Sequence, residues 1–200
     1  MYRIQQMNKA VTLHFEEYGA SEKPDLLILH GFFASSRNWR QIAKKLAEHF
    51  HVYVLDMRNH GESVHVPEMD YPSMAADIEL FLNTLKISKA NILGHSMGGK
   101  TAMTVALTTQ VKLRALVVAD IAPVSYQHSH GPLVRTLQQL DLTNLTSRQQ
   151  ADQALASDIP DRTLRQFLLQ NLELRNNALH WRLNLDAINT QIDSLSDFPE

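Results

Sequence analysis

The chain has 200 residues, enough for one domain with a sizeable core and an inserted subdomain. Nineteen Lys and Arg stand against 21 Asp and Glu, a net charge of −2, so no basic surplus points to nucleic acid or to an anionic membrane surface. The absence of cysteine excludes a disulfide framework, a cysteine-ligated zinc and a thiol nucleophile.

The opening "MYRIQQMNKAVTLHFEE" has no apolar run followed by a cleavage site, and no stretch is long and apolar enough for a bilayer. A cytoplasmic enzyme with no membrane partner is the expectation. Residues 1–18 alternate weakly, with Val11, Leu13 and Phe15 on one face, and predict an opening antiparallel pair of strands. "LLILH" (26–30) is a continuous apolar run, as in a strand buried on both faces. Ser35 and Ser36 offer N-caps to a helix through "RNWRQIAKKLAEHF", with Trp39, Ile42, Ala43 and Leu46 on one stripe. "VYVLD" (52–56) predicts the next strand, and a helix follows Pro72 with Ile78, Phe81, Leu82 and Leu85 at helical spacing. "ANIL" (90–93) predicts a strand, "MGGKTAMTVALTT" a helix and "LRALVVAD" (113–120) another strand. Strands alternating with helices imply βαβ units and a mostly parallel α/β sheet flanked by helices.

After Pro123 the character changes. Helical spacing at Leu133, Leu137 and Leu140, and again at Leu164, Phe167, Leu168 and Asn171, predicts a helical insertion over the sheet with no strands of its own. The expected division is a core over 1–121, a helical lid over 122–196, and a return to the core beginning at 197–200.

Two catalytic patterns overlap in "NILGHSMGGKT" (91–101). Gly94-His95-Ser96-Met97-Gly98 fits G-x-S-x-G between a strand and a helix, the context in which a sharp turn exposes a nucleophilic serine. Gly94 to Thr101 also fits G-x-x-x-x-G-K-T, with "LVVAD" as a strand ending in Asp120. A phosphate loop wraps its ligand with backbone N–H groups, yet His95, Ser96 and Met97 occupy the wrap. That reading also leaves "HGFFAS" (30–35) and "DMRNHGES" (56–63) without a role. The serine reading uses both: Met97 N–H and Phe32 N–H are placed as oxyanion donors, from the elbow and from the loop after an earlier strand. A dinucleotide fingerprint fails, because Ser96 stands where its second glycine belongs.

With "HGFFAS", "DMRNHGES", "GHSMGGK" (94–100) and "DIAP" (120–123) in this order and spacing, the chain resembles the α/β-hydrolases, and within them the small bacterial esterases of the YbfF type. The resemblance implies a serine esterase acting on small-molecule acyl esters or thioesters, acyl-CoA as one candidate, with no cofactor and no metal, as a monomer or homodimer. It carries Asp120, 24 residues past Ser96, over as the acid that orients the catalytic histidine. Other chemistries on this scaffold, C–C bond hydrolysis or cofactor-free peroxidation, would use the same triad, and a catalytically dead domain would only bind ligand.

His30, Gly31, Gly94, His95 and Gly98 are read as support for the motifs, His95 facing away from the nucleophile by strand alternation. Phe33 and His128 are read as lining or bordering the acyl pocket; "HSH" (128–130) lacks a third metal ligand. Asp56 and Arg58 are expected to pair across a tight turn in which Gly61 supplies positive φ. Trp181 and Arg182 are candidates to reach the pocket from the lid. The base itself is missing: the fold places it after Asp120, beyond the last strand, and His128, His130 and His180 all precede that point. A catalytic histidine is therefore expected beyond residue 200, within roughly fifty further residues, the size of the βα units still to come. A Gly-His pair followed by a short helix in the gene beyond codon 200 would supply it. A protein ending at Glu200 is expected to hydrolyse p-nitrophenyl esters ~10⁴ to 10⁶ times more slowly than one carrying the base, and near-normal turnover would show the base to lie elsewhere.

Overall fold

The computed structural model describes residues 10–126 and 130–198. Five strands form one sheet in the order β1-β3-β2-β4-β5: β1 (Phe15–Tyr18), β2 (Asp25–Leu29), β3 (His51–Leu55), β4 (Ala90–His95) and β5 (Leu113–Ala119). β1 runs antiparallel to β3, and every other pairing is parallel. The opening segment thus supplies one strand that pairs across to β3, and residues 1–9 lie outside the described residues. Parallel neighbours need crossovers, and three helices supply them: α1 (Ser36–Leu46), α2 (Tyr71–Thr84) and α3 (Met97–Thr108).

The two faces of the sheet follow from period-two alternation. Leu26, Ile28, Val52 and Val54 pack with Ala43, Trp39 and Leu46 of α1, whereas Leu27, Leu29, Tyr53, Leu55 and Ile92 pack beneath α2 and α3. In α1 the predicted stripe is narrower than expected, because Ile42 is 46% exposed. α2 is buried nearly all round: it packs on α3, its Phe81 ring meets Phe15 and Tyr53 of the sheet, and its Tyr71 Oη donates to the Leu195 carbonyl of the later segment. β5 is the sheet's edge among the described strands, and its apolar residues stay open to solvent, with Val117 51% exposed.

Between Gly131 and Ser196 lie α4 (Gly131–Gln139), α5 (Arg148–Ala154), α6 (Arg162–Leu169), β6 (Leu172–Arg175), β7 (Ala178–Trp181), α7 (Leu185–Thr190) and α8 (Ile192–Ser196). The segment is therefore not purely helical, as the sequence reading expected. β6 and β7 form an antiparallel hairpin through Asn176 (φ 51°) and Asn177 (φ 60°), the left-handed pair that a tight two-residue turn demands. Its apolar faces join the core cluster through Val134, Leu137, Leu168, Leu172, Leu179 and Ile188.

Polar groups lock the loop after β3. Asp56 does not pair with Arg58: its carboxylate accepts from the Ser36 and Glu62 N–H groups at 2.6 and 2.9 Å, and a side chain at Gly61 (φ 57°) would collide with it. Arg58, fully buried, instead forks onto Asp77 of α2, its Nε and Nη2 each 2.7 Å from a carboxylate oxygen. His60 donates from Nδ1 to the Arg58 carbonyl at 3.0 Å and leaves Nε2 buried with no partner among the described residues. Burial pushes its pKa down to about 3.

Asp77→Ala strands a buried guanidinium and should cost ~3–5 kcal/mol, a fall in Tm of roughly 6–20 °C, whereas an unchanged Tm would show the pair to be energetically idle. His60 stays neutral in the folded protein while the unfolded chain takes up its proton near pH 6.5. Its contribution is therefore constant above that pH and is lost as the pH falls toward about 3, at up to ~1.4 kcal/mol per unit. Chemical denaturation of His60→Asn between pH 4 and 7 should show a shallower acid limb than the parent, and parallel limbs would overturn the assignment.

Candidate active site

The strand order reverses at β2: β3 and β1 lie on one side, β4 and β5 on the other. The loops leaving β2 and β4 consequently part at the carboxyl ends of the strands, the place where open α/β sheets form their crevice. His30 and Gly31 leave β2, and Ser96 leaves β4.

Ser96 sits between β4 and α3 with φ 51° and ψ −118°, a left-handed conformation rarely held by a residue with a side chain. Its N–H donates to the Ala119 carbonyl at 3.0 Å, and its own carbonyl accepts from the Gly99 and Lys100 N–H groups at 2.8 and 3.1 Å. The turn is thus fixed both to the end of β5 and to the first turn of α3. Gly94 and Gly98 make it possible. A Cβ on Gly98 would run into the Leu29 carbonyl, and one on Gly94 into the Gly98 carbonyl. Met97, the first residue of α3, carries an N–H with no intrahelical acceptor, as at any helix start.

The loop after β2 closes against this turn. A Cβ on Gly31 would lie 3.2 Å from Ser96 Cβ and 2.7 Å from His95 Nδ1, so only glycine admits the approach. Ala34 N–H bonds to the Gly31 carbonyl at 3.1 Å, and Phe33 takes φ 61°. His30, fully buried, braces the loop from behind. It accepts at Nε2 from Met57 N–H (3.0 Å) and donates from Nδ1 to Gly31 O (2.8 Å), which fixes one neutral tautomer. Burial holds its pKa below the ordinary histidine range.

A cavity of about 200 Å³ opens in front of Ser96, lined also by Phe32, Met97, Tyr71, Lys100, Tyr126 and His130. Ile121 and, from α8, Ile192, Leu195 and Ser196 complete the wall. His130 stacks on Phe32 with ring centroids 5.2 Å apart, and burial lowers its pKa. Ser96, Phe32 and Met97 thus meet at one cavity. Phe33 does not line it, because its positive φ turns the ring inward, where it is 4% exposed against Phe32 and His130. His128 lies outside the described residues. Trp181 and Arg182 also stay away from the cavity: Arg182 is held by Glu62 and by Glu173, 2.9 Å away. Tyr71, Tyr126 and the α8 side chains were missed because they come from segments 25 to 100 residues away from Ser96, with no local pattern to mark them.

Asp120 follows β5 with φ 58°, one residue beyond Ala119, which pairs with His95. Its carboxylate is 88% exposed and faces His95 Nε2 at 3.8 Å, too far for a hydrogen bond. Among the described residues no imidazole hydrogen-bonds Ser96 Oγ, and no group of three His, Asp or Glu side chains could hold a metal ion. The phosphate-loop alternative finds no support. Lys100 Nζ donates to the Ser196 and Asp197 carbonyls at 3.0 and 2.6 Å, and Thr101 Oγ1 donates to the Met97 carbonyl at 3.0 Å, so both groups are engaged away from any nucleotide cradle. No helix among the described residues is long and apolar enough to cross a membrane.

Comparisons with known proteins agree with this geometry. The family model for the alpha/beta hydrolase fold matches residues 24–193. The chain is 38% identical over 96% of its length to the sn-1-specific diacylglycerol lipase ABHD11 of Xenopus laevis, and 32% identical over 82% to the esterase YbfF of Escherichia coli. It spans 64% and 63% of those relatives. A solved marine microorganism esterase superposes with a TM-score of 0.91 at 36% identity, covering 96% of this chain and 76% of that one. The turn at Ser96, the mostly parallel sheet and these matches together place the chain in the α/β-hydrolase family, among relatives named as esterases and lipases.

Proposed function

We propose that this chain carries the nucleophile, the oxyanion donors and the orienting acid of a serine esterase acting on carboxylic esters, thioesters included. The observation that carries the reading is Ser96, held in a left-handed turn at the mouth of a cavity with the start of α3 on one side and the Gly31–Phe32 loop on the other. Such a turn lifts Oγ clear of the backbone and toward a bound carbonyl.

In this mechanism Ser96 Oγ attacks the acyl carbon. The negative charge that develops on the carbonyl oxygen is held by the Met97 and Phe32 N–H groups, neither of which donates to another backbone carbonyl among the described residues. A histidine outside these 200 residues takes the serine proton and later delivers it to the leaving alcohol or thiol, while Asp120 orients its ring. The exposure of the Asp120 carboxylate suits that role, since it is open to a partner and its strained backbone aims it from the strand end next to Ser96. Residues 1–121 form the catalytic core in this reading, 122–196 the lid and 197–200 the return to the core.

The test is labelling with a fluorophosphonate probe together with turnover of p-nitrophenyl acetate by the full-length protein. Ser96→Ala should abolish labelling and cut turnover ~10⁴-fold or more. Undiminished labelling or hydrolysis in Ser96→Ala would sink the assignment, and a folded parent that neither labels nor turns over would favour a ligand-binding domain.

A further inference from the structure

Asn171 lies between α6 and β6, far in sequence from every motif, yet its side chain is buried and reaches the loop after β2. Nδ2 donates to the Phe33 carbonyl at 2.7 Å and to the Leu168 carbonyl at 3.1 Å. Its own carbonyl accepts from Arg182 N–H at 2.8 Å, which pins it to the end of the hairpin. We infer that Asn171 is a positioning residue for the oxyanion donor: the segment 131–196 sets the shape of the Gly31–Ala34 turn through this one amide. The inference rests on the esterase reading above.

Phe33 is the strained residue of that turn. At φ 61° it occupies the third position of a four-residue turn closed by Ala34 N–H on Gly31 O, where glycine is the favoured residue. A side chain there costs on the order of 1–3 kcal/mol and persists only where the surroundings over-determine it. Two influences act on Phe33. Its ring packs between Phe32 and His130. Its carbonyl receives the Asn171 amide, and an amide bonded to a buried carbonyl fixes the plane of the Phe33–Ala34 peptide. Remove the amide, and the carbonyl is left unsatisfied and the turn can relax toward negative φ. Phe32 N–H belongs to the Gly31–Phe32 peptide, two peptides earlier in the same turn, so its direction changes with it. Oxyanion donors act only when aimed at the developing charge, and a misplacement of about 1 Å can cost ~10²-fold.

Three variants test this in the full-length protein. Asn171→Ala removes the donor. Asn171→Leu keeps the bulk and removes the donor without a void. Gln170→Ala breaks the neighbouring exposed bond to Asn38 (2.8 Å) and serves as the control. Amide hydrogen exchange at residues 31–34 should accelerate in both Asn171 variants and not in the control. For p-nitrophenyl acetate, kcat should fall ~10- to 10²-fold with KM within about twofold, because the interaction is made with the transition state and not with the ground state. Unchanged exchange at 31–34, or parental kcat in a folded Asn171→Leu, overturns the proposal, as does a loss carried entirely by KM. Failure of the esterase reading looks different: the parent itself then shows no Ser96-dependent turnover. The exchange comparison alone then decides whether Asn171 holds the loop.

Discussion

The mouth of this sheet depends on how closely α3 can approach β2 and β4. The backbone of Gly98 touches the Leu29 carbonyl and Gly94 touches Gly98, so at both positions a single methyl group would push the helix away. That contact sets the geometry of the Ser96 turn, and the turn in turn sets where the helix start and the β2 loop face each other. Interiors pack at crystal-like density and yield little, so a strand and a helix this close leave few other paths for the intervening residue. The left-handed backbone of Ser96 is the consequence. The strain it represents is balanced by bonds on both sides, to Ala119 and into the first turn of α3.

The later segment is joined to the core by a polar seam as well as by apolar packing. Asn184 bonds to Asn59 and Val66, Tyr71 Oη donates to the Leu195 carbonyl at 2.7 Å, and Lys100 holds the end of α8. Arg182 bridges Glu62 of the β3 loop to Glu173 of the hairpin. Directional bonds of this kind do little for net stability, each being about 1 kcal/mol, but they fix one docking geometry out of many that apolar contact alone would allow. The cavity wall in front of Ser96 is built from that docking, because Ile192, Leu195 and Ser196 reach it only when α8 is held at this angle.

The strands and helices of the first half were legible because each carries its own periodicity, and the Ser96 turn because its two glycines sit in one short pattern. What escaped was set by distance or by a backbone sign. Asp77 partners Arg58 from 19 residues away, and no local rule distinguishes it from Asp56 two residues off. Phe33 was expected at the cavity by its type, yet the sign of its φ decides which way the ring goes, and φ is not written in the residue name. The hairpin at 172–181 was hidden by its charged residues, although Asn176-Asn177 is a pair suited to a left-handed turn and could have marked it. The stripe of α1 lost Ile42 to solvent because only one helix packs on that face among the described elements.

β5 has a consequence for the behaviour of the chain in solution. Its sequence, LRALVVA, is that of a strand meant to be covered on both faces, yet Leu116 and Val117, which point to opposite faces, are both open to water. Its outer backbone groups are those of a sheet margin, blunted only near its start, where Arg114 stands at an irregularity opposite the Ala90–Asn91 step. A margin of this kind is a template for one more strand. Whichever polypeptide supplies that strand, the demand for it competes with solubility: the surface that the sheet needs covered is also the surface through which separate molecules adhere to one another.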